Sequence, residues 1–214
     1  MPQTAGFLRL TRQKETEVPH SSTVSFLSYW RGLQTSPDRA PARSAFDPAN
    51  LKSLIPQMMM ISDTASGHSF RLSGGFLVAF HGYELKDTPF LGLFRSPFAD
   101  TVQAALILSR RRQQPLILTV SAPWLARDGA TGFSDDMASR NETVSFEICL
   151  CPMTNRDGIV DRFVGIYQTL SAPPANPIGS VGRYTLGSSR LYEPKRNIRP
   201  GHLQVVTTDG KRIA

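Results

Sequence analysis

Apolar side chains recur along this chain in two rhythms, and the switch between them outlines the fold. Val24, Leu27, Trp30 and Leu33 come every three residues, with Phe26 and Tyr29 beside them, which gathers them on one side of a short helix over residues 22–34. Ser21 or Ser22 is its expected cap. A helix of this length is marginal alone, so it has to lie on its own domain or on a second copy of the chain. The segment "QTSPDRAPARSA" is a proline-punctuated connector. In "FDPANLKSLIP", Asp47 caps a helical turn, Pro48 takes its first position, Leu51 and Leu54 face inward and Pro56 ends it.

Two short extended runs follow. "QMMMISD" and "HSFRLSG" read as paired strands, with Phe70 and Leu72 on one face and Arg71 on the other. Phe76, Leu77 and Phe80 return to helical spacing between Gly74-Gly75 and Gly82. "SPFADTVQAALILSRRR" is the longest helix, with Ser96 as expected cap, Val102, Ala105 and Leu106 inward, and three arginines at the negative end of its dipole. After Pro115 the rhythm becomes two. "PLILTVSAPW", "TVSFEICLCPM" and "IVDRFVGIYQTL" are strands, the last two joined by the turn "NRDG". In the middle strand Val144, Phe146, Ile148 and Leu150 point one way, and Ser145, Glu147, Cys149 and Cys151 the other. Five strands in this order predict an α+β domain: one antiparallel sheet with helices on one face, an N-terminal helix and a C-terminal extension.

Composition and charge refine the boundaries. With 214 residues and 40% apolar side chains the chain fills one ordinary core. We divide it into an arm at residues 1–21, a domain at 22–170 and a Pro/Gly/Ser-rich tail at 171–214. The net charge of +7 is concentrated in that tail, which holds seven Lys or Arg against two acidic residues. The core is close to neutral and offers no basic groove for a nucleic acid. No run of about 18 apolar residues is present to span a bilayer. The first twenty residues lack the apolar centre of a secretory signal, and two cysteines are few for a disulfide-held protein, so the expected compartment is the cytoplasm.

The stretch "FRLSGGFLVAFHGYEL" raises the question of a phosphate-gripping loop. It has neither the Gly-x-x-x-x-Gly-Lys-Ser/Thr nor the Gly-x-Gly-x-x-Gly spacing, so the glycines read as a strand end and a helix start. Cys149 and Cys151 share a strand face, but the four histidines are scattered without ligand spacing, and no metal site is expected. Structural thiols and a redox pair are the two readings of these cysteines. Glu147 is expected either in a strand ion pair with Arg71 or Arg162 or in ligand contact. No Ser-His-Asp, His-Glu-x-x-His or paired-carboxylate signature can be assembled, and no catalytic residue is assigned.

Three separated blocks, "YWRGL" with "FDPANLKSLIP", "FRLSGGFLVAFHGYELKDTPF", and "FEICLCPMTNRDGIVDRFVG", together resemble the short PAS-domain proteins of alphaproteobacteria over roughly residues 22–170. The resemblance implies a non-catalytic sensory or interaction module in signal transduction, acting through a partner protein. Haem-bearing members would place a histidine on the long helix, and residues 97–112 contain none. Flavin-adduct members would need a cysteine in an Asn-Cys-Arg setting, which is also missing, so no cofactor is assigned. The expected apolar ligand space is lined by Phe70, Leu72, Phe76, Phe80, Leu106 and Phe146, with Arg71, His81 and Glu147 as polar candidates. Leu27, Trp30 and Leu33 are the expected helix contacts of a homodimer. Two rival readings stand beside this one: a small-molecule enzyme on a cone-like α+β fold, with Glu147 in an apolar cavity, and a binder of nucleic acid or lipid through the basic tail.

Overall fold

The computed structural model describes residues 18–64, 67–128, 132–133, 142–172, 174 and 178–193. Helix α1 (Ser21–Gly32) comes first, and its cap is His20, whose ring nitrogen accepts the Ser22 N–H at 3.2 Å in place of either serine. Thr23, Phe26, Leu27 and Trp30 form its buried stripe, in steps of three and four. Val24 lies off that stripe and is 43% exposed. A 3-10 turn at Pro48–Gln57 follows the connector, with Asp47 accepting the Ala49 N–H at 2.9 Å and Leu51 and Leu54 buried.

Strands β1 (Met58–Thr64) and β2 (Gly67–Ser73) then pair antiparallel. Helix α2 (Gly75–His81), a 3-10 turn at Phe90–Leu93 and helix α3 (Phe98–Arg112) complete the helical half. Pro97 occupies the cap position of α3 with no side-chain bond, so Ser96 does not take its expected role. Asp100 supplies the negative charge that the first turn favours. At the other end Arg110 is not simply solvated: it pairs with Asp63 at the end of β1, where His68 also contacts Asp63 at 3.2 Å.

The remaining strands are β3 (Leu116–Asp128), β4 (Gly132–Phe133), β5 (Thr143–Thr154), β6 (Val160–Thr169), β7 (Gly179–Val181) and β8 (Thr185–Leu191). Among the described residues they form one sheet in the order β2-β1-β6-β5-β3-β4, with β7 and β8 also pairing with β3. All pairings are antiparallel. The five strands expected from the sequence are β1, β2, β3, β5 and β6.

Strands β7 and β8 correct the expected boundary at residue 170, because both lie in the segment read as a tail. β8 pairs along Leu116–Ser121 of β3, on the edge opposite β5. Without it, that edge would present a row of unpaired backbone donors and acceptors. The sequence "TLGSSRL" has no apolar alternation, since its contribution is backbone pairing and it stays half-exposed.

The sheet is covered on both faces. From Val144 onwards β5 shows almost continuous burial instead of the alternation of a half-solvated strand. Phe146 meets Phe80 of α2 on one face, with ring centroids 5.2 Å apart. On the other, Glu147 accepts the His20 N–H at 3.0 Å, and the Trp30 indole N–H of α1 donates to the Pro152 carbonyl at 3.0 Å. Adjacent residues of one strand therefore serve opposite layers.

Candidate functional site

The inner face of the sheet, beneath α2, is built from aromatic rings around a small buried polar centre. α2 can start where it does because Gly74 lets the chain pass against the preceding turn: a Cβ there would stand 2.2 Å from the Pro56 carbonyl oxygen. The glycine pair thus serves packing rather than a phosphate. The helix ends at Gly82, whose φ of 75° and N–H bond to Val78 at 2.8 Å close the last turn. Directly before that cap, His81 is turned into the interior and is 4% exposed.

His81 Nε2 lies 2.7 Å from the Tyr184 hydroxyl, and Tyr184 in turn makes a very close hydroxyl contact with Tyr167. Burial pulls the His81 pKa down to about 4, so the ring is neutral at pH 7 and one of its nitrogens is free to accept a hydrogen bond. Burial, with a lesser effect from Tyr83, pushes the Tyr184 phenol well above its ordinary value. The three groups form a neutral hydrogen-bonded chain, the state that buried polar side chains require.

Around this centre Phe146 stacks at 4.7 Å from Tyr167, Phe76 lies 4.7 Å from Phe80, and Trp124 meets Phe80 edge-on at 6.1 Å. Phe94 packs against Tyr184 at 5.5 Å and against Phe90, which meets Phe70 at 5.6 Å. Tyr184 is held in register by backbone bonds to Leu93 and Arg95, at 2.7 and 2.9 Å. Such tilted and edge-on pairs are the preferred geometries of aromatic quadrupoles.

Of the residues expected to line this space, Phe70, Phe76, Phe80 and Phe146 belong to the ring network, and His81 is its polar centre. Leu106 is fully buried on α3, which packs on β8 and the Phe90–Leu93 turn. Leu72 and Arg71 do not belong to the site. A β-bulge leaves Arg71 unpaired, with Met60 opposite Leu72 and Ile61 opposite Phe70. The alternation breaks there: Leu72 is 48% exposed, and Arg71 reaches Asp87 at 3.5 Å on the surface.

Glu147 is also outside the inner space. Its strand neighbours are Thr119 and Gln168, so neither Arg71 nor Arg162 is beside it, and its carboxylate faces α1. The cavity carboxylate that an enzyme reading requires is therefore not Glu147. Leu27 and Trp30 are 1% and 2% exposed against the chain's own sheet, and Leu33 is the half-buried cap of α1. The first two are not free to form a dimer contact.

Sequence reasoning missed Tyr167, Trp124 and Tyr184. Tyr167 shares a face with Phe163 and Gly165, so the period of β6 could have found it. Nothing in the local sequence marks Tyr184, because its place depends on a pairing with residues 93–95.

A single antiparallel sheet that closes one face over an aromatic, polar-centred site with short helices makes this an α+β domain. Residues 18–168 match the family described as PAS domain, and the chain belongs to that family. A solved light-oxygen-voltage domain, studied with a flavin analogue, is similar over 57% of this chain and 83% of its own, at 10% identity and a TM-score of 0.40. No curated protein matches the chain. Among the described residues no helix is long and apolar enough to cross a membrane.

Proposed function

We propose that this chain is a non-catalytic PAS sensory module in the cytoplasm, whose inner aromatic face takes a small apolar molecule and whose α1 passes the result to a signalling protein. Family membership supports the sensory reading. One observation carries the mechanism. Phe146 and Glu147 are consecutive, yet the first touches Phe80 on the inner face and the second holds the start of α1 on the outer face. A guest that parts Phe80 from Phe146 tilts β5 locally and changes the distance from Glu147 to His20.

The guest has a largely apolar body and one hydrogen-bonding atom, matched to the neutral pair His81 and Tyr184. It shifts α1 only as far as it favours one of the two packings. A homodimer built on α1 would use its exposed side, where Val24 lies, because Leu27 and Trp30 are already covered. The five basic residues from Lys195 to Arg212 lie outside the described residues. Arg190 is on β8 and pairs with Ile117 in the sheet.

Amide exchange tests the coupling. Native mass spectrometry of freshly purified protein first reports any retained small molecule. Phe80→Ala then opens space on the inner face. Faster exchange at residues 22–27, on the opposite face, is the expected result. Unchanged α1 exchange in a variant whose α2 amides have accelerated would end this reading.

A further inference from the structure

The outer face of β5 holds a second cluster that the sensory reading does not use. Cys149 and Cys151 alternate with Phe146, Ile148 and Leu150 and so face α1, both fully buried and both free thiols. Their sulfurs are 3.9 Å apart. Met153, buried to 2% exposure, is the next residue on the same face, one strand step of about 6.8 Å further on.

Above them stands Arg31 of α1. One side of its guanidinium lies over the Tyr192 ring, 4.7 Å from the centroid, while its buried Nη2 has no hydrogen-bond partner among the described residues. A buried cationic N–H left unpaired is costly, and an anion is the strongest acceptor that can complete it. Two thiolates holding one monovalent metal ion carry a net charge of −1, opposite in sign to Arg31.

Coordination geometry selects the ion. Among the described residues no group of three His, Cys, Asp or Glu could hold a metal, so a four-ligand zinc site is not available. With metal–sulfur bonds of about 2.3 Å, the zinc–thiolate value, the 3.9 Å gap would be bridged at roughly 116°, close to a three-coordinate arrangement. Thiolate and thioether donors with a low coordination number select monovalent copper. We propose that Cys149 and Cys151, with the Met153 thioether as third donor, bind one Cu(I) ion beneath α1. In the step, each S–H bond breaks and its proton goes to solvent, three copper–sulfur bonds form, two to the thiolates and one to the Met153 thioether, as the ion leaves its former ligands, and copper stays monovalent throughout. α1 must lift to admit the ion and then closes over it.

The experiment titrates the reduced full chain anaerobically with Cu(I) against the chelator bicinchoninate. One copper retained per chain is expected, with retention lost in Cys149→Ser and in Cys151→Ser. Arg31→Gln should weaken it about 10-fold, as changes to groups around a metal site do. Complete loss of copper from the wild-type chain to the chelator overturns the proposal, as does a Cys149→Ser, Cys151→Ser double variant that keeps it. X-ray absorption on the copper-loaded wild type does not depend on any variant folding. Sulfur-only neighbours support the site, and nitrogen or oxygen neighbours refute it.

Discussion

The Glu147 carboxylate accepts the backbone N–H of His20 at 3.0 Å, and His20 in turn caps α1 through its own ring. One buried acceptor on β5 thus sets where the helix on the outer face begins. Replacing it by Ala leaves the His20 N–H without a partner, at a cost of about 1–3 kcal/mol. Urea titration of Glu147→Ala should show that loss, with accelerated amide exchange at the start of α1. Glu147→Gln keeps an acceptor and should lose clearly less. Equal losses in the two variants would mean that the bond does not anchor the helix.

His81 gives the domain an acid-sensitive core. Its pKa falls from the usual 6.5 to about 4 on folding because the charged ring is desolvated. The unfolded chain therefore binds more protons between these values, and stability rises with pH across that window. Its contribution is complete above about 6.5, is lost as pH falls towards 4, and is on the order of 3 kcal/mol at 1.36 kcal/mol per unit. Urea midpoints of the wild type and His81→Gln, compared from pH 7 to pH 4.5, should converge as pH drops. Parallel curves would show that His81 titrates normally in the fold.

The two glycines that begin α2 should respond in opposite directions. Gly74→Ala drives a Cβ into the carbonyl oxygens of Pro56 and Ile55, both backbone atoms, and should cost about 2–4 kcal/mol. Gly75 has open space around its Cβ position and sits at the first position of the helix. Gly75→Ala should be neutral or stabilising by up to about 1 kcal/mol. Thermal unfolding of the pair distinguishes packing from a glycine requirement at both positions.

A chain ending at Leu170 would keep every strand expected from the sequence and lose β7, β8 and Tyr184. It should elute as aggregate in size-exclusion chromatography, because the β3 edge opposite β5 is then unpaired along Leu116–Ser121. Tyr184→Phe in the whole chain should remain soluble and lose about 1–3 kcal/mol, the cost of leaving the buried His81 nitrogen unpaired. A stable, monodisperse short chain would show that the domain does end near residue 170.

The legible part of this structure was whatever periodicity encodes. The two faces of β5, the helical spacing of Phe76 and Phe80 and the hairpin joining β5 to β6 all follow from local repeats. Leu72 was misplaced because one extra residue in β2 breaks the period, and no residue type announces a bulge there. Glu147 was misassigned because its partner is a backbone amide 127 residues away, and the sequence displays only side chains. Strand β8 and Tyr184 were hidden for a related reason: "TLGSSRL" enters the sheet through its main chain, which composition does not report.

The late position of Tyr184 also bears on how the domain is made. A ribosome releases α2, and with it His81, about a hundred residues before the tyrosine that covers it. Until the segment through Leu191 leaves the exit tunnel, the imidazole stays in contact with water and the flank of β3 stays open to other chains. The nascent protein is therefore most in need of a chaperone after its five principal strands have been synthesised and before the last one arrives.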